Sequence, residues 1–143
     1  MSKPMNTKIY THVHSLAEEL MAAVQKKDQV RFDKSYQELK QICDDNDNTD
    51  KDHPVQWETL ADFTDDLELA ITIYDKALAK AQEINSKDFL SSIAYSTALL
   101  KLELGDKEGA IVSLELAKIS CNKIVDKELK AEIHDLLMDL QQA

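Results

Sequence analysis

The chain has 143 residues, enough for one domain with a real core. Two glycines and two prolines leave a hairpin-rich β fold almost no turn residues, and straight-chain helix formers dominate, so an all-α fold is expected. The net charge of −10 is uneven: residues 1–40 carry seven basic and five acidic groups, residues 41–143 ten basic and twenty-two acidic. Such a surface repels nucleic-acid phosphates over most of its area; it serves solubility or, in a sharper reading, suits a partner with basic groups.

No apolar run approaches a membrane span, and MSKPMNTKIY lacks the apolar core of a signal peptide. Cys43 and Cys121 stand far apart with no CxxC motif, as small buried hydrophobes of a reducing compartment do. A cytoplasmic protein is expected.

In chain order, residues 1–7 read as a flexible N-terminus. A first helix over Thr7–Lys26 has the stripe Ile9, Val13, Leu16, Leu20 and Val24. Asp28 caps a second, to about Cys43, with Phe32, Tyr36, Leu39 and Cys43 inward. The polar stretch DDNDNTDKDHP, residues 44–54, is a loop. Pro54 opens a short third helix carrying Val55, Trp57, Leu60, Ala61 and Phe63. Asp65 and Glu68 approach a capping box for a fourth helix, to about Ile84. That helix is apolar on most sides, as a central helix is. Ser86 caps a fifth, to Leu104, which Gly105 ends in the left-handed conformation. Asp106 caps the sixth helix, and Asp126 caps a seventh with the stripe Leu129, Ile133, Leu136, Leu137 and Leu140.

An internal repeat emerges. Asp28 precedes Phe32, Tyr36 and Leu39; Asp66 precedes Ala70, Tyr74 and Ala77; Asp106 precedes Ala110, Leu114 and Ala117. The offsets are the same, and the copies lie 38 and 40 residues apart. Each triplet lies on one helix face behind a capping aspartate, and the small residues admit a close neighbour. The helices therefore pair as hairpins over about 8–43, 54–84 and 87–123, closed by a capping helix over about 126–141, all within one domain, 8–143.

The third copy, LGDKEGAIVSLELAK after Ala98, resembles the tetratricopeptide repeat family, and LELAITIYDKALAKA follows in the second. The period is longer than that family's usual 34 or so residues. Leu16, Pro54 and Ala94 stand where the family has an aromatic, Glu58 where it has a small residue, and Asn122 where it has proline. The resemblance implies three stacked hairpins in a superhelix with a capping helix. It also implies a non-enzymatic adaptor or small chaperone, holding a peptide or helix of another protein in a concave groove. Carried over, the groove is lined by Ala17, Met21 and Val24, then Val55, Thr59 and Asp62, then Tyr95, Leu99 and Leu102. The partner expected is a protein with basic groups around an apolar anchor, with neither nucleic acid nor membrane. In a compact bundle most of these positions would be core instead.

Catalytic motifs are missing: no GxSxG, Walker A, HExxH or glycine-rich fingerprint occurs. His12 and His14 point about 200° apart on a helix and cannot share a metal. His53 and His134 stand apart, and all four histidines read as solvated or half-buried. Asp44, Asn46 and Asn48 alternate as in a calcium loop, but Thr49 and Val55 replace its glycine and bidentate glutamate. No cofactor or metal is expected. Lys27, Arg31 and Lys34, at i, i+4 and i+7, would form a solvated face of the second helix or grip an acidic tail. Two other classes stand beside the adaptor. One is a histidine phosphotransfer bundle with His14 as acceptor, which Ala17 and Glu18 fit poorly. The other is a self-associating module, including a homodimer.

Overall fold

A computed structural model describes residues 6–121 and 126–142. The described residues form seven helices and no strand: α1 (Thr7–Lys26), α2 (Gln29–Asn46), α3 (Pro54–Asp62), α4 (Leu67–Glu83), α5 (Lys87–Glu103), α6 (Lys107–Cys121) and α7 (Lys127–Gln142). The expected flexible segment lies outside the described residues except for Asn6 and Thr7; Asn6 caps α1 by accepting from the Ile9 N–H. Asn122 also lies outside them. None of the described helices is long and apolar enough to cross a membrane.

All three repeat aspartates cap. Asp28, Asp66 and Asp106 each accept from the N–H three residues on, at 3.1, 3.1 and 2.8 Å. The α4 cap is thus Asp66, one residue after the expected Asp65. A side chain at Gly109 would strike the Asp106 carboxyl, so a glycine inside the first turn of α6 leaves the cap its room. Three short connections share one device. Lys27, Asn85 and Gly105 take positive φ of 56°, 52° and 80°. The next residue's N–H then reaches back to Ala23, Ala81 and Lys101 carbonyls at 2.9, 3.0 and 2.8 Å. Such a left-handed residue closes a helix end and turns the chain at once. Lys27 is therefore a turn residue, off α2, while Arg31 pairs with Glu19 of α1 at 2.7 Å. Lys27, Arg31 and Lys34 do not form one basic face.

The triplets face inward. Ala110, Leu114 and Ala117 are fully buried, as are Ala77 and Leu39, while Phe32 and Tyr36 are half-buried. In α1 the buried stripe is Val13, Leu16, Leu20 and Ala23; Val24 lies one helical step off it and is 59% exposed. Helix α4 is less central than its composition suggests. Leu69 is exposed and Ile71, Ile73 and Leu78 are half-buried, because α3 and α5 cover only its alanine-rich side. Helices pack as α1 with α2, α3 with α4 and α5 with α6, and each hairpin leans on the next through α2–α3, α4–α5 and α6–α7. The first helices of successive hairpins also touch, α1 with α3 and α3 with α5; the outer helices α2, α4 and α6 make no comparable contact with one another among the described residues. Helices α1, α3 and α5 thus form one packed row, the inner row, and α2, α4 and α6 the outer row.

The core divides within α5, Ile93 joining the cluster of the first two hairpins and Ala94 that of α6 and α7. Both cysteines are buried, and burial pushes the Cys43 thiol up to about 12, so it stays protonated and inert.

Gly105→Val should destabilise by about 1–3 kcal/mol through backbone strain alone, since a Cβ there meets nothing within 4 Å. Lys27→Gly should stabilise by about 1 kcal/mol, the left-handed penalty being removed. Urea denaturation of both variants checks the pair; unchanged midpoints would mean that neither turn stores strain.

Candidate binding face

The nine positions that the resemblance points to all lie on the three helices of the inner row. Helix α1 contributes Ala17, Met21 and Val24; α3 contributes Val55, Thr59 and Asp62; α5 contributes Tyr95, Leu99 and Leu102. None of the nine is buried. Met21, Val24, Asp62 and Leu99 are exposed, and the other five are half-buried. The buried faces of the same helices point elsewhere, toward Leu20, Leu60 and Ala98. Helix periodicity causes this split: α1, α3 and α5 each satisfy the core with one stripe and leave a second stripe exposed or half-buried.

The individual roles differ. The Thr59 hydroxyl donates to the Val55 carbonyl at 2.6 Å, so it is occupied within its own helix. Tyr95 and Leu102 rest against the cluster of α6 and α7. Burial, and then a hydrogen bond to the Glu132 carboxylate, raise the Tyr95 hydroxyl above its ordinary range. Tyr95 thus ties α5 to the capping helix.

Between the apolar residues of α1 and α5 lies an acidic centre. Asp62 accepts from the Tyr74 hydroxyl of α4. One turn earlier, Glu58 accepts from the Ser92 hydroxyl of α5 at 2.7 Å. Burial pushes the Glu58 carboxyl up to about 7; the Ser92 bond opposes this and the neighbouring Asp62 charge adds to it. Burial also raises Asp62, against the Tyr74 bond, although Asp62 keeps an edge open to water. In the sequence Glu58 stands out only as a residue too large for its repeat position; Tyr74 stands out only as a packing position of the second repeat, and Ser92 and Glu132 carry no local signal.

The histidines divide. His12 and His14 lie exposed on α1 beside Glu38 and Glu18, at 4.0 and 3.0 Å, and His134 is exposed on α7. His53, expected to be solvated or half-buried, is 4% exposed: its Nδ1 accepts from the Val55 N–H at 3.1 Å and its ring meets Phe89 edge-on. A histidine before Pro54 serves here as a helix cap. The oxygens of the acidic loop Asp47, Asn48 and Asp52 surround the Lys80 ammonium.

Compared with protein-family models, with curated proteins and with solved structures, the chain matches none.

Tyr74→Phe should lower stability by about 1 kcal/mol at neutral pH, because a carboxylate hydrogen bond is lost while water still reaches Asp62. Without the hydroxyl the Asp62 carboxyl should titrate higher still. Carboxyl NMR titration of both proteins checks this, and an unmoved Asp62 would mean the bond is unimportant.

Proposed function

We propose that this protein is a non-enzymatic binding module, an adaptor or small chaperone built as a tetratricopeptide-like stack of three helical hairpins and a capping helix. Its inner face would hold a peptide or helix of another protein. The observation that carries this reading is the inner row itself: three helices side by side, each with a stripe left exposed or half-buried, none of whose nine groove positions is buried. An isolated domain gains nothing from leaving Met21, Val24 and Leu99 in water, whereas a groove uses such side chains as anchors. The acidic centre at Glu58 and Asp62, and the acidic balance of residues 41–143, favour a ligand with basic groups around an apolar anchor.

A self-associating module is the second reading. It rests on Val112 and Ile119, two turns apart on α6 and 66% and 70% exposed. These lie on the outer row, so the two surfaces can be tested separately.

The experiment is to identify a partner by pull-down from the native host and then titrate it calorimetrically. Tyr95→Ala and Leu99→Ser should each weaken binding by at least about 1 kcal/mol with helix content intact, as truncated hot spots do. Added salt should weaken it further by screening the rim charges. Normal binding by both variants would remove the inner face from the account. Binding lost only on changing Val112 and Ile119 would favour self-association.

A further inference from the structure

Glu58 stands at the seam between the second and third hairpins. Its carboxyl on α3 is joined to Ser92 on α5, while Asp62, one turn along the same face, is joined to Tyr74 on α4. Two carboxyls at i and i+4 on one helix are close neighbours, and when both are ionised they repel. Beside Glu58 opens a cavity of about 300 Å³, lined also by Asp88, Phe89, Ser92, Asp126 and Leu129, so the further titratable groups here are acids from α5 and from the cap of α7. From α4 the facing group is the Tyr74 phenol, which burial and Asp62 keep protonated. The remaining neighbours of α3, helices α1 and α2, bring no charged group that acts on either carboxyl. Among the described residues, no lysine, arginine or histidine forms an ion pair with Glu58 or Asp62.

A pair of carboxyls on one helix face, Glu58 half-buried and Asp62 open to water at one edge, with hydroxyl partners and no ion-paired cation among the described residues, is most stable with one proton between its members. We propose that the Glu58–Asp62 pair makes the seam between the second and third hairpins a proton-operated joint, tight while the pair holds one proton and loosened when both carboxyls are ionised. Glu58 is the member that keeps the proton, being the more enclosed. Its ionisation places two like charges at the α3–α5 contact, and the strain is relieved by water entering from the cavity and by separation of the helices. The inner face is built from these same helices, so its width would follow the proton.

The sign of the effect is fixed by linkage. Glu58 holds its proton up to about pH 7 when folded, but only to about its ordinary 4.5 when unfolded. Between those values the folded state binds more protons, so stability is fully present below the lower value and falls as pH rises toward the upper. The folded-to-unfolded ratio should drop by at most about tenfold per pH unit in that window.

The test needs no partner, so it stands or falls apart from the proposed function. Urea denaturation and amide hydrogen exchange, corrected for intrinsic rate, are measured from pH 5 to pH 8 on the wild type and Glu58→Gln. The two proteins differ at one side chain, so pH effects common to both cancel in the comparison. The wild type should lose at least about tenfold in stability relative to Glu58→Gln, with protection falling first in the first turns of α5. Ser92→Ala, followed by carboxyl NMR, should move the Glu58 titration to higher pH, and it decides the matter even if Glu58→Gln fails to fold. Equal pH slopes in wild type and Glu58→Gln would overturn the proposal, as would a Glu58 carboxyl titrating in the ordinary glutamate range.

Discussion

Lys80 is 6% exposed, and its ammonium is held by Asp47, Asn48 and Asp52 at 2.7, 2.9 and 2.8 Å. Asp52 in turn accepts from the Trp57 indole at 2.8 Å and from the Asn48 N–H at 2.8 Å. Lys76 completes the cluster, reaching Asp47 at 2.6 Å and lying over the Trp57 ring. The group joins the α2–α3 loop, α3 and α4, and so fixes the first hairpin against the second. Burial raises the cost of an ionised Asp52, but the lysine, the amide and the indole outweigh it and hold the carboxyl below its ordinary value. Burial likewise works against a charged Lys80, and the two aspartates prevail. Each charge is tolerable only because the others are present.

The position of α3 decides the inner face. It is short, with His53 and Pro54 at its start and Phe63 closing its end, and both neighbours in the inner row touch it. Were α3 free to slide, Asp62 and Glu58 would lose their partners on α4 and α5. The alanines of α4, α5 and α6 act in the same direction. Ala77, Ala98, Ala110 and Ala117 are fully buried, so neighbouring backbones approach closely and the register cannot shift without a clash. The Lys80 cluster and the buried alanines on one side, and a seam that responds to a proton on the other, are compatible, because they rest on different contacts.

Much of this architecture was legible in residue spacing. Asp28, Asp66 and Asp106 marked helix starts, Gly105 marked an end, and the triplets behind the aspartates marked the faces that meet. What was hidden has common physical causes. Lys27 and Asn85 take left-handed turns that glycine would have advertised. Helix α2 runs on to Asn46 through residues whose composition reads as loop, since Lys40 and Gln41 bond Asp44 and Asp45 one turn away. Lys80 carries no local signal, because its partners Asp47, Asn48 and Asp52 all lie in a distant loop before α3. The acidic centre depends on Ser92 and Tyr74, which no local pattern connects to Glu58 and Asp62.

The dependence of the stack on the Lys80 cluster is open to one direct measurement, the unfolding free energy of Lys80→Met and wild type between pH 3 and pH 7. At pH 7 the substitution keeps the side-chain volume but leaves the buried Asp52 without its cation, which costs about 3 kcal/mol or more. In the wild type the depressed Asp52 contributes stability that is present above the ordinary carboxylate value and fades only as acid protonates it in the fold. In Lys80→Met the carboxyl takes up a proton much earlier, so the gap between the two proteins should narrow steadily toward pH 3. A Lys80→Met protein as stable as wild type at pH 7, or a gap that does not change with pH, would contradict the claim that this ion cluster holds the first two hairpins together.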